Sequence, residues 1–252
     1  MVERQVEDAA AAISCCYWAG KQPLRLMLPV GMLRMHGGFD YGPDHPFRRA
    51  LSEGPEALTR FYDGFQPQTI AQIYDLPEDM GAGAGLAPWE VPWRLREKRV
   101  PPPGEKGLSA KHGVAFYGPC TPQKVALEQR RLTGTLASVK AKGFDPDRHG
   151  DIEGQMLTDG RRVAFMVLGG KHRAAVLAHL GHEHIPVRLR AGLMPLIDAR
   201  VVGDWPLVAS GEMAAEVAHA VMDRYLKGRG MEDVLRSAAP GVAAGKGGDI
   251  GE

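Results

Sequence analysis

The sequence lacks any apolar run close to the roughly 18 residues that a helix needs to cross a bilayer. Its first eight residues include acidic residues where a secretion signal would be basic, and no long apolar core follows them. Cysteine is also scarce, with three residues, of which Cys15 and Cys16 are adjacent and poorly placed to bond to each other. A disulfide framework and a membrane-spanning helix are therefore not expected, and we predict a cytoplasmic protein.

The chain has no excess of charge of one sign either. Its 31 Lys and Arg residues balance 30 Asp and Glu residues, for a formal net charge of +1. A protein devoted to duplex DNA usually carries a clear basic excess, so nucleic acid is not the favoured partner. Two short basic runs, residues 94–99 and 188–190, keep nucleic-acid binding open as an alternative.

Glycine and proline divide the 252 residues into segments. Residues 76–112 form a break in composition, with a Gly/Ala run at 81–85 and a Pro-Pro-Pro-Gly stretch at 101–104. We predict a mainly helical N-terminal region (1–95), a linker (96–112), a domain with a C-terminal helix (113–235) and a disordered tail (236–252). Within the first region, residues 3–19 read as one helix, whereas residues 24–35 fit a strand or a short buried helix.

The second half of the chain shows clearer signals. Thr121 and Pro122 suit the N-cap and the first residue of a helix, which Gly143 would end. Residues 163–168 form a compact apolar strand, followed by a glycine turn and an alanine-rich helix. Apolar residues alternate over 185–189, which predicts another strand, at an edge of the sheet because Pro186 cannot donate. This order of elements predicts an α+β fold.

The glycine turn carries the best chemical signal. Gly169 and Gly170 let the backbone approach a ligand closely, and the helix that follows offers unpaired N–H groups and the positive end of its dipole. Lys171 and Arg173 add positive charge, and His172 adds a donor that titrates near neutral pH. Phosphate is the expected ligand. The turn is not a Walker motif, and a plain tight turn with solvated basic side chains is the alternative.

Residues 167–181 and the Ile-Pro-Val at 185–187 resemble the signature of the ParB/sulfiredoxin-like superfamily. That signature is a glycine turn, a His-Arg or Arg-Arg pair, an alanine-rich helix, a Leu-Gly stop and an Ile-Pro-Val strand. The preceding helix, with Ser-Val-Lys at 138–140 and Gly-Phe at 143–144, is similar to the helix that precedes the turn in that superfamily. The resemblance spans about residues 112–190. It implies a small mixed sheet with helices, and nucleotide phosphates (ATP, CTP or ADP) bound by residues 169–173.

What the resemblance implies depends on where the sequence departs from it. Lys171 stands where sulfiredoxin chemistry needs a cysteine, and about 60 residues after the matched stretch are too few for the further domains of ParB partition proteins. Some relatives are free-serine kinases. The resemblance therefore implies a nucleotide-dependent phosphotransferase that acts on a small hydroxyl compound. The alternative is a non-catalytic nucleotide-binding module that regulates how the N-terminal region meets a partner.

Phosphoryl transfer needs charge neutralisation, usually with Mg²⁺, and a group that orients or deprotonates the acceptor hydroxyl. His172, Glu128 and Asp151 are the candidate catalytic residues, because they lie in the turn or in segments close to it in sequence. Glu128 can instead form an ordinary surface pair with Lys124, one helical turn away. Asp151 can be a polar loop residue.

No set of metal ligands follows from the sequence. His179, His182 and His184, with Glu183 among them, are not accompanied by a cysteine pair or a His-Glu-x-x-His helix. We interpret them as solvated residues of a turn.

Overall fold

The computed structural model describes residues 2–18, 24–96, 108–114, 117–118 and 120–238. They form one mixed sheet packed against helices, which confirms the predicted α+β class. In chain order the elements are β1 (Val2–Gln5), α1 (Ala9–Trp18), β2 (Leu24–Pro29), β3 (Leu33–Met35), β4 (Phe39–Asp40), α2 (Pro46–Glu53), α3 (Pro55–Gly64), α4 (Ile70–Tyr74), α5 (Pro122–Lys142), α6 (Pro146–His149), β5 (Ile152–Thr158), β6 (Val163–Gly169), α7 (Lys171–His179), β7 (His184–Leu189), β8 (Leu196–Asp198), α8 (Pro206–Ala209), α9 (Ala215–Lys227) and α10 (Met231–Ala238).

The strands lie in the order β1-β2-β7-β5-β6-β3-β4, and β8 pairs with the second half of β5. β5 and β6 form an antiparallel hairpin, and β7 runs parallel to β5 on its other side. Single turns of 3-10 helix separate β2 from β3 (Val30–Met32) and precede α5 (Ala110–His112), and a longer 3-10 segment, Ala199–Asp204, follows β8.

Both halves of the chain contribute to this sheet and to one hydrophobic core. The N-terminal region, predicted to be mainly helical, supplies β1 to β4 as well as helices. β2 pairs with β7 and buries its alternating leucines, Leu24, Leu26 and Leu28, in the shared core. β3 pairs with β6, and its Leu33 is buried in the same core. Residues 97–107 of the predicted linker lie outside the described residues.

Two local predictions are wrong, and a third boundary is shifted. Residues 3–19 are not one helix, since β1 pairs with β2 and α1 begins only at Ala9, where the Asp8 carboxylate accepts from the Ala11 amide at 2.7 Å. β7 is not an edge strand, since it lies between β2 and β5. Its ladder with β5 begins at Val187, so no donor towards β5 is needed at Pro186. The tail predicted from residue 236 overlaps α10, which continues to Ala238; residues 239–252 lie outside the described residues.

Helices α2, α5 and α7 pack together on the sheet and bring residues from both halves to the glycine turn. α5 begins as predicted, with the Thr121 hydroxyl accepting from the Lys124 amide at 3.4 Å, and ends at Gly143, whose φ of 71° suits glycine. The predicted strand before the turn and the helix after it are confirmed as β6 and α7. Among the described helices, none has the length and apolar character required to cross a membrane.

Candidate anion-binding site

The glycine turn joins the end of β6 directly to α7. Gly170 is the N-cap residue and adopts a left-handed conformation with φ 79° and ψ 24°. A Cβ at this position would lie 3.0 Å from Arg173 Nη2 and 3.0 Å from Ile152 Cγ1, so both conformation and space favour glycine. Glycine has no side chain to cap the helix, and the first amides of an α-helix have no partner within the helix itself.

A groove of about 570 Å³ lies between α5 and the first turn of α7. Its described lining is rich in Lys and Arg and contains no Asp or Glu. The positive end of the α7 dipole adds to the positive potential, so the groove favours an anion. The lining residues are Arg130, Arg131, Gly134, Thr135, Ser138, Val139, Phe144, His149, Gly170, Lys171, His172 and Arg173.

Of the residues predicted to bind phosphate, Gly170, Lys171, His172 and Arg173 line this groove. Gly169 does not; it ends β6, where it pairs with Glu153. Its role is to continue the strand up to the turn.

Arg173 is held by the backbone of the loop before β5. Its Nη1 donates to the His149 carbonyl, and its Nη2 donates to the Asp151 carbonyl at 3.1 Å. Burial lowers the pKa of the guanidinium, while the nearby carboxylates of Asp151 and Glu153 act in the opposite direction. Arg173 therefore fixes the loop against the turn as well as lining the groove.

Glu128 lies behind His172, in a buried chain of charged groups. Its Oε2 is 2.7 Å from His172 Nε2, and its Oε1 is 2.5 Å from the ammonium of Lys124, which is fully buried. Burial by itself raises the pKa of Glu128, but the hydrogen bonds and charges of His172 and Lys124 outweigh it and lower this pKa to about 2. The carboxylate is thus ionised at neutral pH. The predicted pairing with Lys124 occurs, but in the interior and not on the surface.

His172 is held from two sides. The Phe47 ring of α2 stacks on the imidazole with a centroid distance of 4.8 Å and an interplanar angle of 10°, and Glu128 binds its Nε2. The side chain remains 21% exposed, towards the groove that it lines. If Nε2 carries the hydrogen donated to Glu128, then Nδ1 is the nitrogen that can accept a proton from a ligand.

Asp151, the third candidate catalytic residue, does not line the groove. Its carboxylate pairs with Arg25 of β2 at 2.8 Å and with Arg188 of β7 at 3.4 Å, and its side chain is 11% exposed. This network ties the β2 and β7 strands to the loop before β5. In the structure Asp151 therefore stabilises that loop and has no role in the groove. Its partner Arg188 belongs to the basic run at 188–190.

Sequence reasoning missed the wall that α5 contributes to the groove. Arg131, Thr135 and Ser138 recur at helical spacing beside the buried apolar stripe of that helix, so they share one face. This polar stripe was the available signal. Phe47 could not be found in this way, because only the folded chain brings α2 against α7.

No group of three or more His, Cys, Asp and Glu side chains converges to hold a metal ion in the part of the chain that the structure describes. His179 lies at the end of α7, with its Nδ1 3.5 Å from the Ser52 hydroxyl. Comparisons of the chain with models of known families, with curated proteins and with solved structures give no match.

Proposed function

We propose that the groove between α5 and α7 binds the phosphate groups of a nucleotide such as ATP, CTP or ADP. One observation carries the proposal: a helix end without a side-chain cap, behind a left-handed glycine, opens into a groove whose described lining has four Lys and Arg side chains and no carboxylate. Open amides and a helix dipole are an established way to bind phosphate. The resemblance of residues 112–190 to the ParB/sulfiredoxin-like superfamily supports the same ligand.

The catalytic form of this proposal is phosphotransfer to a small hydroxyl compound. His172 is the group that supports it, because it faces the groove while an ionised carboxylate, Glu128, binds its far nitrogen. A carboxylate behind an imidazole fixes its tautomer and its orientation, as a positioned proton acceptor requires. Lys171 and the α7 amides would offset the charge on the transferred phosphoryl group.

The second candidate is a nucleotide-binding module without turnover, and the composition of the groove favours it. Mg²⁺ in nucleotide sites is usually held by one or two carboxylates together with the phosphates. The described groove lining offers the hydroxyls of Thr135 and Ser138 but no carboxylate, so it does not fit a metal ion held by the protein. A nucleotide bound in the groove would instead change the position or the stability of α2, whose Phe47 stacks on His172.

Calorimetry with ATP, CTP and ADP, with and without Mg²⁺, tests nucleotide binding. We expect Lys171→Gln to weaken binding about tenfold, because it removes a charge-assisted contact to phosphate. Lys227→Gln is the matched control, since Lys227 is 64% exposed at the end of α9. Equal affinities in the wild type and Lys171→Gln, or no binding of any of the three nucleotides, would contradict the proposal.

Turnover separates the two candidates. For a phosphotransferase, His172→Gln keeps nucleotide affinity within a few-fold but abolishes transfer of phosphate to a panel of hydroxyl compounds. For a module, nucleotide raises the melting temperature of the wild type and no acceptor is phosphorylated. Oligonucleotide affinity that falls steeply with salt, without a response to nucleotide, would favour the nucleic-acid alternative.

A further inference from the structure

A second cationic site, which shares no lining residue with the α5–α7 groove, lies around Arg229. This residue follows α9 and is 5% exposed. Its backbone extends the pairing of β4: its carbonyl accepts from the Asp40 amide at 3.1 Å, and its amide donates to the Gly38 carbonyl at 3.0 Å. Its side chain is therefore anchored at a fixed point of the fold.

The guanidinium is held in place by neutral groups. Nε donates to the Gly37 carbonyl at 2.8 Å, and Nη2 donates to the Ile73 carbonyl. The carbon at its centre lies 4.9 Å from the centroid of the Phe39 ring and 5.6 Å from that of Phe65. These contacts fix the plane of the guanidinium before any ligand arrives, and they leave Nη1 without a hydrogen-bond partner among the described residues.

The charge of Arg229 also lacks a direct ion pair among the described residues. No carboxylate of the described residues lies within ion-pair distance of it, although buried arginines are normally paired. Burial and the neighbouring Arg224 together lower the pKa of the guanidinium to about 9, against weaker opposing effects of Asp75, Tyr74 and Tyr225. The group stays charged at neutral pH and would gain from an anion at Nη1.

Arg229 lines a pocket of about 330 Å³ between α4 and α10. Phe65, Leu76 and Val234 form apolar parts of its wall, and Ser237 stands at its exposed side. Two carboxylates also belong to the lining, Asp75 and Glu78. Asp75 is partly neutralised by Arg224, whose Nη2 lies 3.5 Å from its carboxylate, and Glu78 accepts from the Gln72 amide group at 3.2 Å.

We propose that this pocket binds a small organic carboxylate. One carboxylate oxygen accepts from Arg229 Nη1, and a short aliphatic tail packs against Phe65 and Val234. Two nearby carboxylates disfavour a dianion more than a monoanion, which favours a carboxylate over inorganic phosphate. The apolar wall favours a ligand with a tail over acetate or chloride. The pocket contains none of the residues of the α5–α7 groove, so this proposal is independent of the proposed function.

The experiment is an NMR titration of the ¹⁵N-labelled protein with butyrate, butylamine and inorganic phosphate. Butyrate is expected to cause saturable shifts at the Arg229 Nε–H and the Val234 and Ser237 amides at concentrations up to about 20 mM. Butylamine, which has the same tail and the opposite charge, should leave them unchanged. Phosphate should bind at least about tenfold more weakly than butyrate.

Three variants locate the site. Arg229→Gln should abolish the shifts, but Arg229 also donates to the carbonyls of Gly37 and Ile73, so this variant could disturb the fold. Ser237→Trp is therefore a second variant, which fills the exposed side of the pocket and leaves the core unchanged. Arg236→Gln is the matched control, since Arg236 is 78% exposed on the same helix and should titrate as the wild type. The proposal is overturned if butyrate shifts none of the three signals, if it still shifts them in Ser237→Trp, or if phosphate binds as tightly as butyrate.

Discussion

The buried pair of Lys124 and Glu128 offers the sharpest test of the structure. Glu128→Gln removes the negative charge 2.5 Å from an ammonium that is fully buried, and it leaves that ammonium without its nearest compensating charge. Breaking a buried ion pair from one side costs about 3–5 kcal/mol, because the remaining charge stays out of water. With typical stabilities of about 5–15 kcal/mol, this loss is a large part of the total.

The same residue spacing occurs on the surface and provides the control. Lys227 and Asp223 are also four residues apart on one helix, with a distance of 2.8 Å, but their side chains are 64% and 39% exposed. Lys227→Met should therefore change the free energy of unfolding by at most about 1 kcal/mol. Comparison of the two pairs isolates the effect of burial from that of helical spacing.

Urea unfolding at pH 7 measures these differences. The double variant Lys124→Met/Glu128→Gln removes the buried charge together with its partner. Its loss of unfolding free energy should therefore be at least about 1 kcal/mol smaller than the summed losses of Lys124→Met and Glu128→Gln. A loss in Glu128→Gln no larger than that in Lys227→Met would show that the pair is exposed to water, and the reasoning about the site behind His172 would fail with it.

The acid stability of Glu128 and the packing around two glycines can be tested in the same way. Glu128 has a pKa of about 2 in the folded protein against an ordinary 4.5, so its stabilisation is complete above pH 4.5 and is lost as the pH falls towards 2; urea titrations should show this loss of about 3 kcal/mol in the wild type and not in Glu128→Gln. Gly170→Ala should cost about 2 kcal/mol or more in thermal unfolding, against about 1 kcal/mol for Gly181→Ala, which has a similar φ but open space around its Cβ; equal losses would contradict the close packing of the turn. Gly154→Ala should cost at least about 3 kcal/mol, because its Cβ would overlap the Met166 carbonyl and the Phe165 ring, and near-wild-type stability would refute the register of β5 with β6.

Much of the second half of the fold could be predicted because its signals are local. Thr121, Pro122 and Gly143 mark the ends of α5 through their own backbone and capping preferences, and the two glycines after β6 mark the start of α7. The N-terminal strands were missed because their signal is not local. β1 pairs with β2, although α1 lies between them in the sequence. β1 has only four residues, and the alanine-rich sequence of α1 beside it favours the prediction of one continuous helix. Partners in a sheet, not propensity, decide such short segments.

The candidate site shows the same division. The glycine turn and its basic residues can be recognised from sequence, because strand, glycine and helix follow one another along the chain. Glu128 and His172 are 44 residues apart in sequence, and only the packing of α5 against α7 brings them into contact. Asp151 was a candidate because of its position in the loop, but its carboxylate forms an ion pair with Arg25 from the other half of the chain. Ion pairs between distant segments leave no trace in the local sequence.

The way in which the halves interleave bears on how a ligand would act. β3 flanks β6 and β2 flanks β7, so the strand that leads into the glycine turn is ordered by a strand of the N-terminal region. On the other side of α7, Phe47 of that region stacks on His172. A ligand that requires the folded turn stabilises everything on which the turn depends, by RT ln(1 + [L]/Kd). Nucleotide bound at Lys171 should therefore slow hydrogen exchange in β3 and α2 as well as in α7, and protection confined to α7 would show that the turn folds independently of the N-terminal strands.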